Sequence, residues 1–189
     1  WYSKYGLTYK RVYYLFGEPG TGKTTLVKIL TQTYNYPVTS IPYNLFQGIA
    51  PRIGKNNQII LFDEFNLDQA DETSFLTLLT FLDGIEECTN LIVFFCTNNK
   101  VQHLDVKYKA LFRPGRIHKI SEFKFCTISQ AINLIKFFYG QTVTLNTVVD
   151  FYPSKISNLF SEGKSLDYVL DFVHGKVKST TESKVESTS

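Results

Sequence analysis

The densest run of residues able to do chemistry is Gly17-Glu18-Pro19-Gly20-Thr21-Gly22-Lys23-Thr24, followed by Thr25. It fits G-x-x-x-x-G-K-[ST], a spacing whose glycines let successive backbone N–H groups turn inward around phosphate oxygens. A helix starting at Lys23 would add the positive end of its dipole. Lys23 is then placed to reach β- and γ-phosphates, and the Thr24 hydroxyl to ligate Mg2+. A bare glycine-rich turn is the plainer reading. It leaves unexplained the apolar strand before the loop and the helical pattern after it.

Three further clusters follow in order. Ile59-Ile60-Leu61-Phe62-Asp63-Glu64 is an apolar run ending in two acids, the Walker B pattern. In a parallel sheet such ends line up along the ligand-binding edge. Asp63 would sit near Mg2+, and Glu64 would act as the general base that orients and activates water. Thr97-Asn98 closes another apolar run, where the Asn98 amide could hold the attacking water, although Asn is also a common turn former. Arg113-Pro114-Gly115-Arg116 reads as a tight turn presenting two guanidiniums outward. These two residues fit arginine fingers on a γ-phosphate, acting in trans, as well as they fit a surface turn with two solvated charges.

The elements that must position these groups are legible in outline. Arg11–Phe16, Ile59–Phe62 and Leu91–Cys96 are short continuous apolar runs, and Ile117–Phe125 reads as a fourth strand. Helical periodicity covers Lys23–Gln32 and Thr73–Leu82, the latter stopped by Asp83-Gly84. A turn-rich connection carries Pro37 and Pro42. Apolar strands alternating with helices predict an α/β fold, a P-loop parallel sheet covered on both faces. From Thr127 onward only helices are expected, at Ile128–Tyr139, Pro153–Ser161 and Leu166–Val173. The expected division is a nucleotide-binding subdomain over 1–126, a helical lid over 127–175, and a disordered Ser/Thr-rich tail over 176–189.

Composition narrows the class. The chain has 189 residues, 43% hydrophobic and 20% charged, with 16 Phe and 12 Tyr, which predicts one α/β domain with a small appendage and an aromatic core. A net charge of +3 does not by itself call for nucleic acid. Cys88, Cys96 and Cys126 lack CxxC spacing, which suggests reduced thiols and an intracellular protein. His103, His118 and His174 lack metal-ligand spacing. No apolar stretch is long enough for a membrane span, and no signal peptide is seen. Methionine is absent even at position 1, so the sequence reads as a piece of a longer product.

GEPGTGKT, LFDEF, CTN and RPGR, in that order, resemble the AAA+ ATPases. The likeness narrows to the branch of mitochondrial Rieske iron–sulfur protein translocases and their viral relatives. Trp1-Tyr2, Tyr5–Arg11, Leu82–Ile85, Leu104-Asp105, Gln130-Ala131, Phe138–Gly140 and Ser154–Leu159 carry that narrower match. The resemblance implies a five-stranded parallel sheet, a helical lid, and ATP with Mg2+ bound between neighbours of a homo-oligomeric ring, hexameric or heptameric. It also implies a protein substrate, a sensor role for Asn98, finger roles for Arg113 and Arg116, and Tyr5–Leu7 near the adenine. It would place the parent protein at the mitochondrial inner membrane. Departures are Glu18 in place of the usual proline, extra residues between Asp105 and Ala110, and His118 where Asp is frequent. Phe46-Gln47-Gly48 resembles an aromatic pore loop no more than an amphipathic helix end. A viral-type helicase or replication ATPase shares the paired acids and sensor Asn, but no basic stripe with interleaved aromatics is present. A nucleotide-binding scaffold without turnover would leave Glu64 without a purpose.

Overall fold

A computed structural model describes residues 9–41, 57–83, 90–100 and 106–176. Tyr5–Leu7, Phe46–Gly48, Gly84-Ile85, Leu104-Asp105 and the tail beyond Lys176 lie outside the described residues, as do Cys88 and His103. The chain separates into two compact units, Trp1–Phe123 and Lys124–Ser189.

The first unit is built on a parallel sheet of β1 (Lys10–Gly17), β2 (Val38–Ser40), β3 (Gln58–Phe62), β4 (Leu91–Thr97) and β5 (Lys119–Phe123), in the order β2-β3-β4-β1-β5. Interior strand β3 is buried at all five positions and central β4 at all but one, as expected of strands covered on both faces. Helices α1 (Lys23–Tyr34), α2 (Glu72–Asp83) and α3 (Val106–Leu111) lie between them, with a 3-10 turn at Leu67–Gln69.

Two apolar layers hold the sheet. One face joins β-strand residues Val12, Tyr14, Ile60, Phe62, Val93 and Phe95 to Leu78 and Leu82 of α2 and Tyr108 and Leu111 of α3. Phe62 and Phe95 stack at 4.8 Å, and Phe65 packs at 4.7 Å from Phe95, geometries worth about 0.5–1.5 kcal/mol beyond simple burial. The other face packs Leu15, Ile59, Leu61, Phe94 and Cys96 against Val27 of α1. The expected aromatic core is present, since Tyr14, Tyr108, Phe62, Phe65 and Phe95 are among the largest fully buried side chains.

The sheet has the five strands that the resemblance implies, but the sequence pattern did not locate two elements. β2 is a three-residue strand, exposed throughout and flanked by Pro37 and Ile41. It is an edge strand too short for any periodicity, and prolines beside it are tolerated at an edge. α3 contains the Val106–Lys109 stretch that reads in sequence as inserted residues. Its Tyr108 and Leu111 are fully buried, so tertiary packing rather than pattern makes the helix. The fourth strand is also shorter than expected, Lys119–Phe123 rather than 117–125.

The second unit holds α4 (Ile128–Tyr139), α5 (Ser154–Ser161) and α6 (Leu166–Val173). α4 starts with a capping box in which Thr127 and Gln130 satisfy each other's backbone N–H groups, and Gly140 ends it in a left-handed conformation. Ala131, Ile135, Ile156, Leu159, Val169 and Val173 form its core. Cys126 belongs to this core too, and its N–H donates to Phe151 O at 2.8 Å.

Candidate nucleotide site and arginine turn

β1 ends at Gly17, where the backbone takes φ +144°. A Cβ there would lie 2.1 Å from the carbonyl oxygen of Phe123 on β5, so only glycine fits. The chain then loops through Gly20 (φ +78°) and Gly22 (φ +97°), conformations that L side chains rarely adopt. α1 begins at Lys23 with no side-chain cap at its N-terminus. Its first-turn N–H groups are therefore left to face an anion, the arrangement that suits phosphate.

Lys23 is only 7% exposed. Its ammonium donates to Gly17 O at 2.7 Å, Glu18 O at 2.9 Å and Asn98 Oδ1 at 3.0 Å. Burial lowers its pKa, and the fields of Cys96, Asp63 and Glu18 oppose that shift. The Thr21 hydroxyl donates to Glu18 O at 2.8 Å and braces the loop from inside.

The end of β3 supplies the acids. Thr24 Oγ1 donates to Asp63, 3.0 and 3.2 Å from its two carboxylate oxygens. These are hard oxygen donors, so the pair fits Mg2+. Glu64 follows with φ +53°, left-handed for a non-glycine residue. The cause is local: Phe65 must turn under the sheet, where it is 1% exposed and its N–H donates to Cys96 O at 2.8 Å. The sharp turn leaves the Glu64 side chain exposed at the mouth of the pocket.

The pocket holds about 250 Å3 and is lined by Pro19, Gly20, Gly22, Lys23, Thr24, Thr25, Asp63, Glu64, Cys96 and Asn98. The phosphate loop, both acids and Asn98 are thus brought together from three elements. Cys96 is a wall that sequence reasoning missed. It sits in an apolar run and gives no chemical signal. Burial and the Asp63 charge push its thiol up to about 12, so it stays protonated. A second missed feature is the amide pair in which Asn99 Nδ2 donates to Asn66 Oδ1 at 2.9 Å, tying the turn after β4 to the turn after β3.

The arginine turn lies elsewhere. Its two residues precede β5, whose pairing with β1 starts at Tyr13↔Lys119. His118 locks this approach: its N–H donates to Val12 O at 2.9 Å, and its Nδ1 accepts from Val12 N–H at 3.1 Å. The turn therefore sits beside the start of β1 while the phosphate loop leaves from its end. From Val12 to Gly17 the strand rises ~17 Å at about 3.3 Å per residue. The two arginines also differ. Arg113 is exposed, and among the described residues its guanidinium takes no hydrogen bond. Arg116, by contrast with the outward-facing pair expected from the sequence, has a side chain only 12% exposed. It grips Asp83 of α2 through Nε at 2.7 Å and Nη2 at 2.5 Å.

The family model for the ATPase family associated with various cellular activities (AAA) matches residues 13–125. Among curated proteins, the chain is 24% identical to the probable mitochondrial chaperone BCS1-A of Dictyostelium discoideum, over 96% of this chain and 48% of that protein. It is 28% identical to an AAA-ATPase of Arabidopsis thaliana, over 86% of this chain and 39% of that protein. It is 27% identical to the human mitochondrial chaperone BCS1, over 77% of this chain and 39% of that protein. The chain spans about half or less of the length of these relatives. The family match runs from within β1, through the ends of β3 and β4 and the arginine turn, to just past β5, and on that span the chain belongs to the AAA family of ATPases.

Proposed function

We propose that the chain binds and hydrolyses Mg-ATP within a ring of its own copies, and that the ring uses the energy to remodel or translocate a protein substrate. The observation that carries this reading is the separation along β1. The phosphate loop and paired acids gather at one end, and the exposed Arg113 stands at the other. Arg113 is too far away to serve its own loop, whereas a neighbouring copy can present it to the γ-phosphate, where charge develops in the transition state.

Within one chain the roles divide by geometry. The loop N–H groups and Lys23 bind and orient the phosphates. Thr24 and Asp63 would hold Mg2+, which when bound neutralises phosphate charge. Glu64 takes the proton of the attacking water. Asn98, 3.0 Å from the Lys23 ammonium, is placed to orient that water beside the γ-phosphate. Thr25 lines the same pocket. Residues 1–126 form the nucleotide-binding part and 127–175 the lid in this reading. The relatives named mitochondrial chaperones support a protein substrate and a mitochondrial setting. Ring size, hexamer or heptamer, rests on the resemblance alone.

ATPase rate per subunit against protein concentration tests the reading. It should rise steeply with concentration, and both Glu64→Gln and Arg113→Ala should abolish it. A flat rate with a silent Arg113→Ala would mean a self-sufficient enzyme. Stimulation by single-stranded nucleic acid rather than by protein would point to a helicase.

A further inference from the structure

We propose that the two arginines of the turn divide the work: Arg113 crosses to the neighbouring copy, and Arg116 stays in its own chain as a positioning residue, clamped by Asp83. This rests on the ring reading above and names which residue crosses.

Three of the five N–H groups of the Arg116 guanidinium are already used within the chain. Nε and Nη2 take the two Asp83 oxygens at 2.7 and 2.5 Å, and Nη1 donates to Ala110 O at 2.5 Å. Reaching a phosphate on another copy would break all three and strand the Asp83 carboxylate. Asp83 is the last described residue of α2, and the guanidinium is held there. Lys10 Nζ donates to the neighbouring Leu82 O, so two cations from outside α2 meet at Leu82 and Asp83. Hydrogen bonding by Arg116 holds the Asp83 carboxyl below the usual carboxylate range, with help from the Lys10 and Arg113 charges.

The clamp sets the direction of Arg113. The Arg116 N–H donates to Arg113 O at 3.1 Å and closes the turn, with Gly115 at φ +93°. Fixing Arg116 on α2 therefore fixes the main chain from which the Arg113 side chain projects. Asp83 is 54% exposed. A pair so open to water adds little to global stability, so its loss should appear as a misaimed turn rather than as unfolding.

The test is steady-state ATPase on the assembled protein for Asp83→Asn, Arg116→Ala, the double variant and Arg113→Ala. A misplaced group of this kind costs on the order of 10- to 100-fold in rate. Asp83→Asn and Arg116→Ala should each lose that much in kcat, with KM for ATP within about twofold. The double variant should be no worse than either single change, because the two residues act as a unit. The exchanged pair, Asp83→Arg with Arg116→Asp, should regain at least about 10-fold over Arg116→Asp alone. A fully active Asp83→Asn beside an inactive Arg116→Ala would make Arg116 a second finger and overturn the clamp, as would an exchanged pair no better than Arg116→Asp alone. Those results leave the ring reading standing if Arg113→Ala is inactive. If Arg113→Ala is fully active, the ring reading fails and the clamp fails with it.

Discussion

Lys10 and Lys23 are both nearly buried, 6% and 7% exposed, near opposite ends of the β1–phosphate loop segment, and burial lowers the pKa of each. Their surroundings differ in kind. Around Lys10 the polar groups satisfy one another: its ammonium bonds Leu82 O, and Asp83 is claimed by Arg116. Around Lys23 they converge on a pocket whose walls are loop glycines, an uncapped helix start, Asp63 and Glu64. A buried charge is thus not evidence of function by itself. What separates a structural lysine from a phosphate-binding one is whether its neighbours complete it or leave room for a ligand.

The sharpest way to break this contrast is at the turn near the Lys10 end that does not look self-satisfied. Arg113→Ala should lower the ATPase rate of the assembled protein by about 10³-fold, the lower range for fingers supplied in trans, with ATP affinity nearly unchanged in a binding titration. Unaltered turnover would make the whole turn structural. Next comes the lysine pair itself. Lys23→Met should weaken ATP binding roughly 10- to 100-fold, the loss of a charge-assisted hydrogen bond. Lys10→Met should leave ATP affinity within about twofold and lower the melting midpoint by a few degrees, for ~1 kcal/mol lost at Leu82 O. Equal effects of the two on nucleotide binding would erase the distinction.

A smaller effect sharpens the picture at His118. Its Nδ1 accepts from Val12 N–H, so the neutral ring holds β5 to β1. Burial lowers its pKa below the ordinary 6.5, and the Arg11 and Lys10 charges lower it further. The folded protein therefore resists a proton that the unfolded chain accepts. The stabilisation is present above about pH 6.5 and is lost as the pH falls through the lowered folded value. His118→Asn keeps an acceptor that does not titrate. Its melting midpoint should drop less than the parent's between pH 7.5 and 5.5, by roughly 1 °C given the partial exposure. Parallel drops would remove His118 from the account. Least visible should be Cys96. With its thiol up at about 12 and 1% exposed, it should resist alkylation at neutral pH in the folded protein and react on unfolding.

The two ends of β1 were also unequally legible. The phosphate loop, Asp63-Glu64 and Asn98 are contiguous motifs at strand ends, where chemistry and backbone conformation are written in adjacent residues. The parallel sheet followed from unbroken apolar runs, and α4 from its helical apolar pattern over Ile128–Tyr139. At the other end the meaning lies in pairs far apart in sequence. Asp83 reads as a helix stop and Arg116 as half of a turn, and nothing in either neighbourhood says that they meet across 33 positions. The Asn66–Asn99 link is hidden in the same way. β2 and α3 went unseen because one is too short for a period and the other is helical through the burial of Tyr108 and Leu111.

Gly17 carries a consequence for how such sequences drift. Its backbone angle and the Phe123 carbonyl each forbid a side chain, and the second constraint comes from a residue 106 positions away with no part in binding phosphate. A descendant of this chain that had lost hydrolysis could shed Lys23, Thr24 and Glu64 and still be obliged to keep glycine here. The first glycine of the motif is thus a fossil of the fold, and the survival of enzymatic selection in any homologue is better judged from the lysine, the threonine and the second acid.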